Sequence, residues 1–463
     1  MDSKSKVSAY LAEHRDRHLA ELIEFVRIPS VSASTEHKPD MAKASEWLAD
    51  SLRKAGLDNV QVLPTAGNPV VYGDWLHAPG QPTALIYGHY DVQPADPLEQ
   101  WTTAPFEPVI RDGKLYGRGA TDDKAQLYTH VKTVEAFLKT IGELPVNVKF
   151  CIEGEEEIAS PSLPAFLQEQ AELLKADAIV ISDGPMHDEG VPSICYGLRG
   201  LCGFQIDIQG AKNDLHSGLF GGGVANPATA LVQLLASMRD EDGHITIEGF
   251  YEGVNELSDI EREAFRALEL DDAKTAKELA VPELTGEKGF SFLERTTARP
   301  TLEINGIYGG YQGEGLKPIV PSAAGAKISC RLVDQQDPDE IMKRIEAHIE
   351  KFKPAGVTVK VQQTHRGKPF YISPEHPYIH AASRAYEAGF GTAPVYIRSG
   401  GSIPIVEVFS RVLGAPVVMM DFGLPSENMH APNEHFHLDN FDKGIATLCQ
   451  YWQELQAAPK ADA

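Results

Sequence analysis

The sequence predicts an α/β domain with a mostly parallel sheet flanked by helices, interrupted by an inserted α+β domain. Three observations predict it. Short apolar runs alternate with helical patterns over the first two-fifths of the chain. A middle region changes to alternating strands paired with two helices. From about residue 372 the first kind of pattern returns. The expected division is therefore 1–198 with 372–463 for the first domain, and 199–371 for the insert. A chain of 463 residues is also too long for one ordinary core.

The elements follow in order. Ala44, Trp47, Leu48, Leu52 and Ala55 recur at helical spacing and stop at Gly56, a natural C-terminal cap. Residues 83–87 form a short apolar run ending in Gly88, as a buried strand does. Leu127, Val131, Val134 and Leu138 predict an amphipathic helix. Val146, Val148, Phe150 and Ile152 alternate as a strand, and residues 178–181 are another compact apolar run. In the insert, Phe204, Ile206 and Ile208 alternate, as do Ile328, Cys330 and Leu332, and Val357, Val359 and Val361. Ala230, Leu231, Leu234, Leu235 and Met238 predict one helix, and residues 339–352 a second.

Bulk properties exclude several classes. Apolar residues make up 42% and charged residues 23% of the chain, as in soluble globular proteins. No apolar run approaches the roughly 20 residues a bilayer span requires, so no membrane partner is expected. Residues 1–10 are polar and lack the apolar core of a signal peptide, so a cytoplasmic location is expected. The net charge is −24 and no Lys/Arg block occurs, which argues against a nucleic-acid partner. Cys151, Cys195, Cys202, Cys330 and Cys449 form no C-x-x-C pair. They read as small buried hydrophobes in a reducing compartment.

The chemistry concentrates at strand ends. The run 83–87 leads into Gly88-His89-Tyr90-Asp91. Residues i and i+2 share a face of an extended chain, so His89 and Asp91 can point the same way. An imidazole ligand with a carboxylate behind it fits that placement; a surface turn fits it equally. Gly117-Arg118-Gly119-Ala120-Thr121-Asp122-Asp123-Lys124 carries adjacent carboxylates, either a helix cap or a carboxylate turned into a site. Its Gly-x-Gly lacks the strand–turn–helix spacing of a dinucleotide fingerprint. The strand ending at Ile152 runs into Glu153-Gly154-Glu155-Glu156-Glu157, whose mutual repulsion is relieved by water or by a cation. In such a cluster one Glu can ligate while its neighbour handles protons. The run 178–181 ends in Ser182-Asp183-Gly184. Three buried strands thus deliver His or carboxylate at their C-terminal ends, where open α/β sheets place their sites. This nitrogen and oxygen mix suits zinc, with manganese or cobalt as alternatives. No Gly-x-Ser-x-Gly elbow is present, which disfavours a serine hydrolase. His376 and His380 have i, i+4 spacing without the Glu of a metalloprotease motif and read as surface.

Taken together, GHYDVQP at 88–94, YGRGATDDK at 116–124, EGEEEIAS at 153–160, ISDG at 181–184, DLHSGLFGG at 214–222, SCRLV at 329–333, RSGGSIPI at 398–405 and MHAPNEHF at 429–436 resemble metallopeptidase family M20. The likeness is to its dipeptidase-like branch, of the carnosinase and cytosolic non-specific dipeptidase type. The resemblance implies a metal-dependent dipeptidase holding two zinc ions per subunit. His89, Asp122 and Asp183 would hold one ion; Asp122, Glu157 and His430 the other. Asp91 would orient His89, and Glu156 would be the general base. The insert would be a lid and dimerisation domain of a homodimer. From it, His216 would reach the partner's active site, Arg331 would bind the carboxylate of a small peptide substrate, and His365 would be a further contact; Gly401 and Ser402, after the insert, would line the substrate backbone. An N-acyl or N-carbamoyl amino-acid amidohydrolase is the alternative activity. Two departures are Ala125 and Ala159, where relatives usually have Gly. Pro318 replaces a polar contact. Arg331 also alternates with Ile328, Cys330 and Leu332 so that it faces away from the apolar side. The Gly-rich turn at 218–223 reads as a tight loop, with His216 as its cap, because no Gly-Lys-Ser/Thr follows.

Overall fold

The computed structural model describes residues 3–268, 271–401 and 403–459. Two compact units result: residues 1–196, 372–397 and 405–463, and residues 197–371 with 398–404. The chain enters the second unit and returns, so that unit is inserted in the first. Residues 398–404 group with the insert rather than with the chain around them. Among the described residues, no helix is long and apolar enough to cross a membrane.

The first unit is built on a six-stranded mixed sheet in the order Asp58–Leu63, Val70–Trp75, Asn147–Glu153, Thr83–His89, Ala178–Ile181, Val417–Met419. The last four run parallel to one another. Parallel strands are buried on both faces and read as continuous apolar runs, which is why 83–87 and 178–181 are legible in the sequence. The first two strands pair antiparallel with each other, and Val70–Trp75 pairs antiparallel with Asn147–Glu153. The sequence pattern does not disclose this edge, because a register irregularity between Asp58 and Gln61 interrupts its alternation.

The predicted helix ending at Ala55 spans Lys38–Ala55. Gly56 caps it at φ +108°, donating its N–H to the carbonyls of Leu52 and Arg53. The helix Ala125–Thr140 differs from expectation. It is buried on every face from Ala125 to Phe137, not amphipathic. Its polar side chains tolerate burial because they are partnered. Lys132 bridges Glu21 and Glu135 at 2.6 Å each, and the His130 ring lies 2.8 Å from the Ser182 hydroxyl. The helices Ser3–Val26, Lys38–Ala55 and Leu438–Ala457 pack around it.

The inserted unit contains a four-stranded antiparallel sheet in the order Thr301–Gly309, Ala323–Leu332, Gly200–Gln209, Thr358–Gly367. Helices Pro227–Ala236 and Pro338–Phe352 share its apolar core, which includes Phe204, Ile206, Leu234, Ile328, Cys330 and Ile345. Asn226 and Asp337 cap those helices through their side-chain oxygens. All five cysteines are free, and four are buried.

Candidate metal centre

His89 is the last residue of the strand Thr83–His89 and is fully buried. Asp183 follows the neighbouring strand Ala178–Ile181 by two residues, and Glu157 lies in the short turn Glu156–Ile158 just after the strand ending at Glu153. Asp122 sits in a turn before the helix Ala125–Thr140, where its φ of −121° and ψ of 96° break the helical path. His430 lies in a non-repetitive loop at φ +59°.

These five residues form two groups that share Asp122. One ligating atom from each of His89, Asp122 and Asp183 lies within 4.8 Å of the others; the same holds for Asp122, Glu157 and His430. His89 Nε2 is 3.0 Å from Asp122 Oδ1 and 3.5 Å from Asp183 Oδ1. His430 Nε2 is 2.8 Å from Asp122 Oδ2 and 3.3 Å from Glu157 Oε2. The two oxygens of Asp122 therefore face different groups.

Asp91 serves both sides. His89 Nδ1 lies 3.0 Å from the Asp91 carbonyl and 3.3 Å from its carboxylate. That carboxylate also accepts the N–H groups of Glu156 at 3.2 Å and Glu157 at 3.1 Å. Asp91 thus ties the strand end carrying His89 to the turn carrying the two glutamates. Glu156 is half-buried, and burial pushes its carboxyl up to about 7, with Asp122 and Glu157 adding to the rise.

The donor set fits a divalent cation. Among the described residues, no lysine or arginine pairs with Asp122, Asp183 or Glu157; their partners within ion-pair distance are histidines. Burial raises Asp183 well above the ordinary carboxylate range. Despite its burial, Asp122 stays below that range because His430 and His89 both meet its carboxylate. His430 is in turn pushed up to about 10 by Asp122 and Glu157. Carboxylates gathered in a buried place with no permanent cation of their own are what zinc or another divalent metal compensates, and three carboxylates with two imidazoles are borderline N/O ligands.

Several residues that hold the site escape sequence reasoning. Gln93 donates its backbone N–H to Glu157 Oε1 at 3.0 Å and its side-chain amide to Oε2 at 2.8 Å. Asp421 accepts the Asp183 N–H at 3.1 Å, and Asp123 accepts the His89 N–H at 3.2 Å. Glu427 and Glu434 are buried beside the Asp122 turn. Gln93 in GHYDVQP, Asp123 in YGRGATDDK and Glu434 in MHAPNEHF lie in the stretches that carry the resemblance; Asp421 and Glu427 lie in loops without periodicity, where they read as solvated charge.

Of the remaining sequence candidates, Arg331, His216, His365 and Gly401 lie in the inserted unit. Arg331 is half-buried on the strand Ala323–Leu332, opposite Thr301 and Leu201. It lines a cavity of about 400 Å³ together with Arg199, Arg239, Arg295, Arg299 and Ser329. His216 is exposed, and its Nδ1 accepts the Gly218 N–H at 3.0 Å, capping the turn that follows. His365 is exposed on the strand Thr358–Gly367. Gly401 donates its N–H to Ser399 Oγ at 3.1 Å and accepts the Arg199 N–H at 3.0 Å. Ser402 lies outside the described residues. His376 caps the helix Pro377–Phe390 by accepting the Tyr378 N–H, a structural use of that histidine.

Residues 85–454 match the model of peptidase family M20/M25/M40. The chain belongs to peptidase family M20. Its dipeptidase-like branch is represented by the Cys-Gly metallodipeptidase dug1 of Schizosaccharomyces pombe, 32% identical over 98% of each chain. The Beta-Ala-His dipeptidase of Homo sapiens is 31% identical over 97% of this chain and 92% of its own length. Among solved structures, an M20 family metallo-carboxypeptidase from Sulfolobus solfataricus superposes with a TM-score of 0.78 at 32% identity, covering 95% of this chain and 99% of its own. The chain is accordingly a metal-dependent peptidase with a dinuclear candidate site.

Proposed function

We propose that the chain is a di-zinc dipeptidase that cleaves dipeptides or short peptides with a free C-terminal carboxylate. The observation that carries this reading is the pair of ligand groups sharing Asp122 at the ends of parallel strands. The names of the relatives, a Cys-Gly metallodipeptidase and a Beta-Ala-His dipeptidase, support the substrate class.

In this reading His89, Asp122 and Asp183 would hold one ion, and Asp122, Glu157 and His430 would hold the other. Zinc bound there supplies Lewis acidity that polarises a carbonyl and acidifies water. Glu156 takes the proton of the attacking water and returns it to the leaving amine nitrogen. Its position is fixed through Asp91, which accepts its backbone N–H. Asp91 also fixes the ring of His89. Arg331 anchors the substrate carboxylate, for which a guanidinium offers paired donors; its cavity is lined by both signs of charge, with Arg299 paired to Glu287 and Arg239 to Glu303. Gly401 and His365 are further substrate contacts. His216 of the partner subunit donates to the developing oxyanion in a homodimer, an effect worth roughly 3–4 kcal/mol for a well-aimed donor.

A substrate panel tests this reading. A dipeptide, its C-terminal amide, a tripeptide and an N-acetyl amino acid are assayed side by side. The free dipeptide should be hydrolysed fastest and its amide poorly. Preference for the N-acetyl amino acid would replace the dipeptidase reading with that of an amidohydrolase.

A further inference from the structure

Two carboxylates outside the ligand groups are distinguished by where their hydrogen bonds go. Glu434 is fully buried. Its Oε2 accepts the Arg118 guanidinium at 2.6 Å and the Gly119 N–H at 3.0 Å. Its Oε1 accepts the N–H groups of Thr121 at 2.9 Å and of Asp122 at 3.2 Å. Glu427, also fully buried, accepts the Thr121 hydroxyl at 2.6 Å and the Leu424 N–H at 2.9 Å through Oε2. Its Oε1 accepts the His437 N–H at 2.8 Å.

Both carboxylates belong to the loop that carries His430, and they flank it on either side. Both reach the turn that carries Asp122. Asn428, His430 and Asn433 all stand at positive φ, 56°, 59° and 61°, a region uncommon for residues other than glycine and entered most readily by asparagine. An anchored loop keeps such a path; an unanchored one relaxes.

We infer that Glu427 and Glu434 are positioning residues that fasten the His430 loop to the Asp122 turn and so set the spacing of the Asp122, Glu157 and His430 group. Asp122 and His430 come from opposite sides of this fastening, whereas His89 and Asp183 come from adjacent strands and need no such tie. The effect therefore falls unequally on the two metal sites. A carboxylate is required at residue 434, because its oxygens meet four donors. A carboxamide would turn an N–H₂ group against at least one of them.

The inference rests on the metal reading above, and the experiment separates the two. Full-length wild type, Glu434→Gln and Glu427→Gln are stripped of metal and titrated with zinc against a chromophoric competitor. Melting temperatures are recorded with and without zinc. Wild type should take two ions. Each variant should keep one tight site and bind the second ion about 10–100-fold more weakly, as loss of a supporting hydrogen-bond partner does. Thr121→Val removes only the hydroxyl link to Glu427 and should weaken the same site by a smaller factor, which covers the case of a variant that fails to fold. A merely structural role would lower the zinc-free melting temperature and leave both affinities at wild-type values; that result overturns the inference alone. Wild-type protein that takes up no zinc overturns the metal reading and this inference with it.

Discussion

In the inserted unit, Arg398 is buried between Glu261 and Asp334, with 2.8 Å to the Asp334 carboxylate and a close contact to Glu261. Arg299 likewise meets Glu287 through two bonds of 2.8 Å. In the first unit, among the described residues, the ion-pair partners of Asp122 and Asp183 are histidines and no lysine or arginine. The difference teaches how to read buried charge. An acid paired with an arginine carries its own compensation and is architecture. Acids gathered without a permanent cation are a receptor for one. The first unit also contains the architectural kind: Glu135, buried beside His18, Arg17 and Lys132, stays below the usual carboxylate range despite its desolvation because the His18 ring and both cations meet it. The contrast is therefore between clusters rather than between units as wholes.

The largest expected effect breaks the receptor side of the comparison. Glu156 belongs to the carboxylates around the metal centre but to neither ligand group. Glu156→Gln should lower turnover about 10²–10⁴-fold while zinc content, measured by elemental analysis, stays at two per chain. A parallel loss of zinc would make Glu156 a ligand instead of a base. On the architectural side, Arg398→Met leaves Glu261 and Asp334 buried without their cation and should cost about 3–5 kcal/mol, read as a lower denaturation midpoint in urea. Zinc affinity should not change. A loss of zinc binding without a loss of stability would show that Arg398 serves the metal centre and not the architecture. The smallest effect concerns backbone. Ala159 caps the Glu156–Ile158 turn at φ +68°, a conformation glycine adopts without a Cβ penalty. Ala159→Gly should therefore raise stability by about 1 kcal/mol, checked by the melting temperature.

Legibility in the sequence followed the same physics. His89 and Asp183 were legible because each closes a continuous apolar run, the signature of a strand buried on both faces. Glu157 was legible as one of several acids after such a strand, though spacing alone left the choice between it and Glu156 open. Asp122 was distinguishable from Asp123 only through the family resemblance. His430 rested on that resemblance altogether: it lies in a loop whose shape is set by distant hydrogen bonds, and no periodicity marks it. The same reason hid Glu427 and Asp421, whose burial depends on partners far along the chain, and the role of Glu434, which lies in the MHAPNEHF stretch without any periodicity to mark it. The helix Ala125–Thr140 was found but misjudged, because Gln126, His130, Lys132 and Glu135 read as a solvent face and are in fact partnered inside. Ala159 is the converse case. The resemblance implies a glycine at this position, and the backbone at φ +68° is one that glycine adopts without a Cβ penalty.

The central claim is that the acids around Asp122 form a receptor for two metal ions on which peptide hydrolysis depends. Dipeptide hydrolysis and metal content measured together during stepwise chelation and zinc re-addition test it most directly. The account predicts two ions per chain, activity that disappears as they are removed, and recovery when zinc is returned. Hydrolysis that continues undiminished in metal-free protein would contradict it.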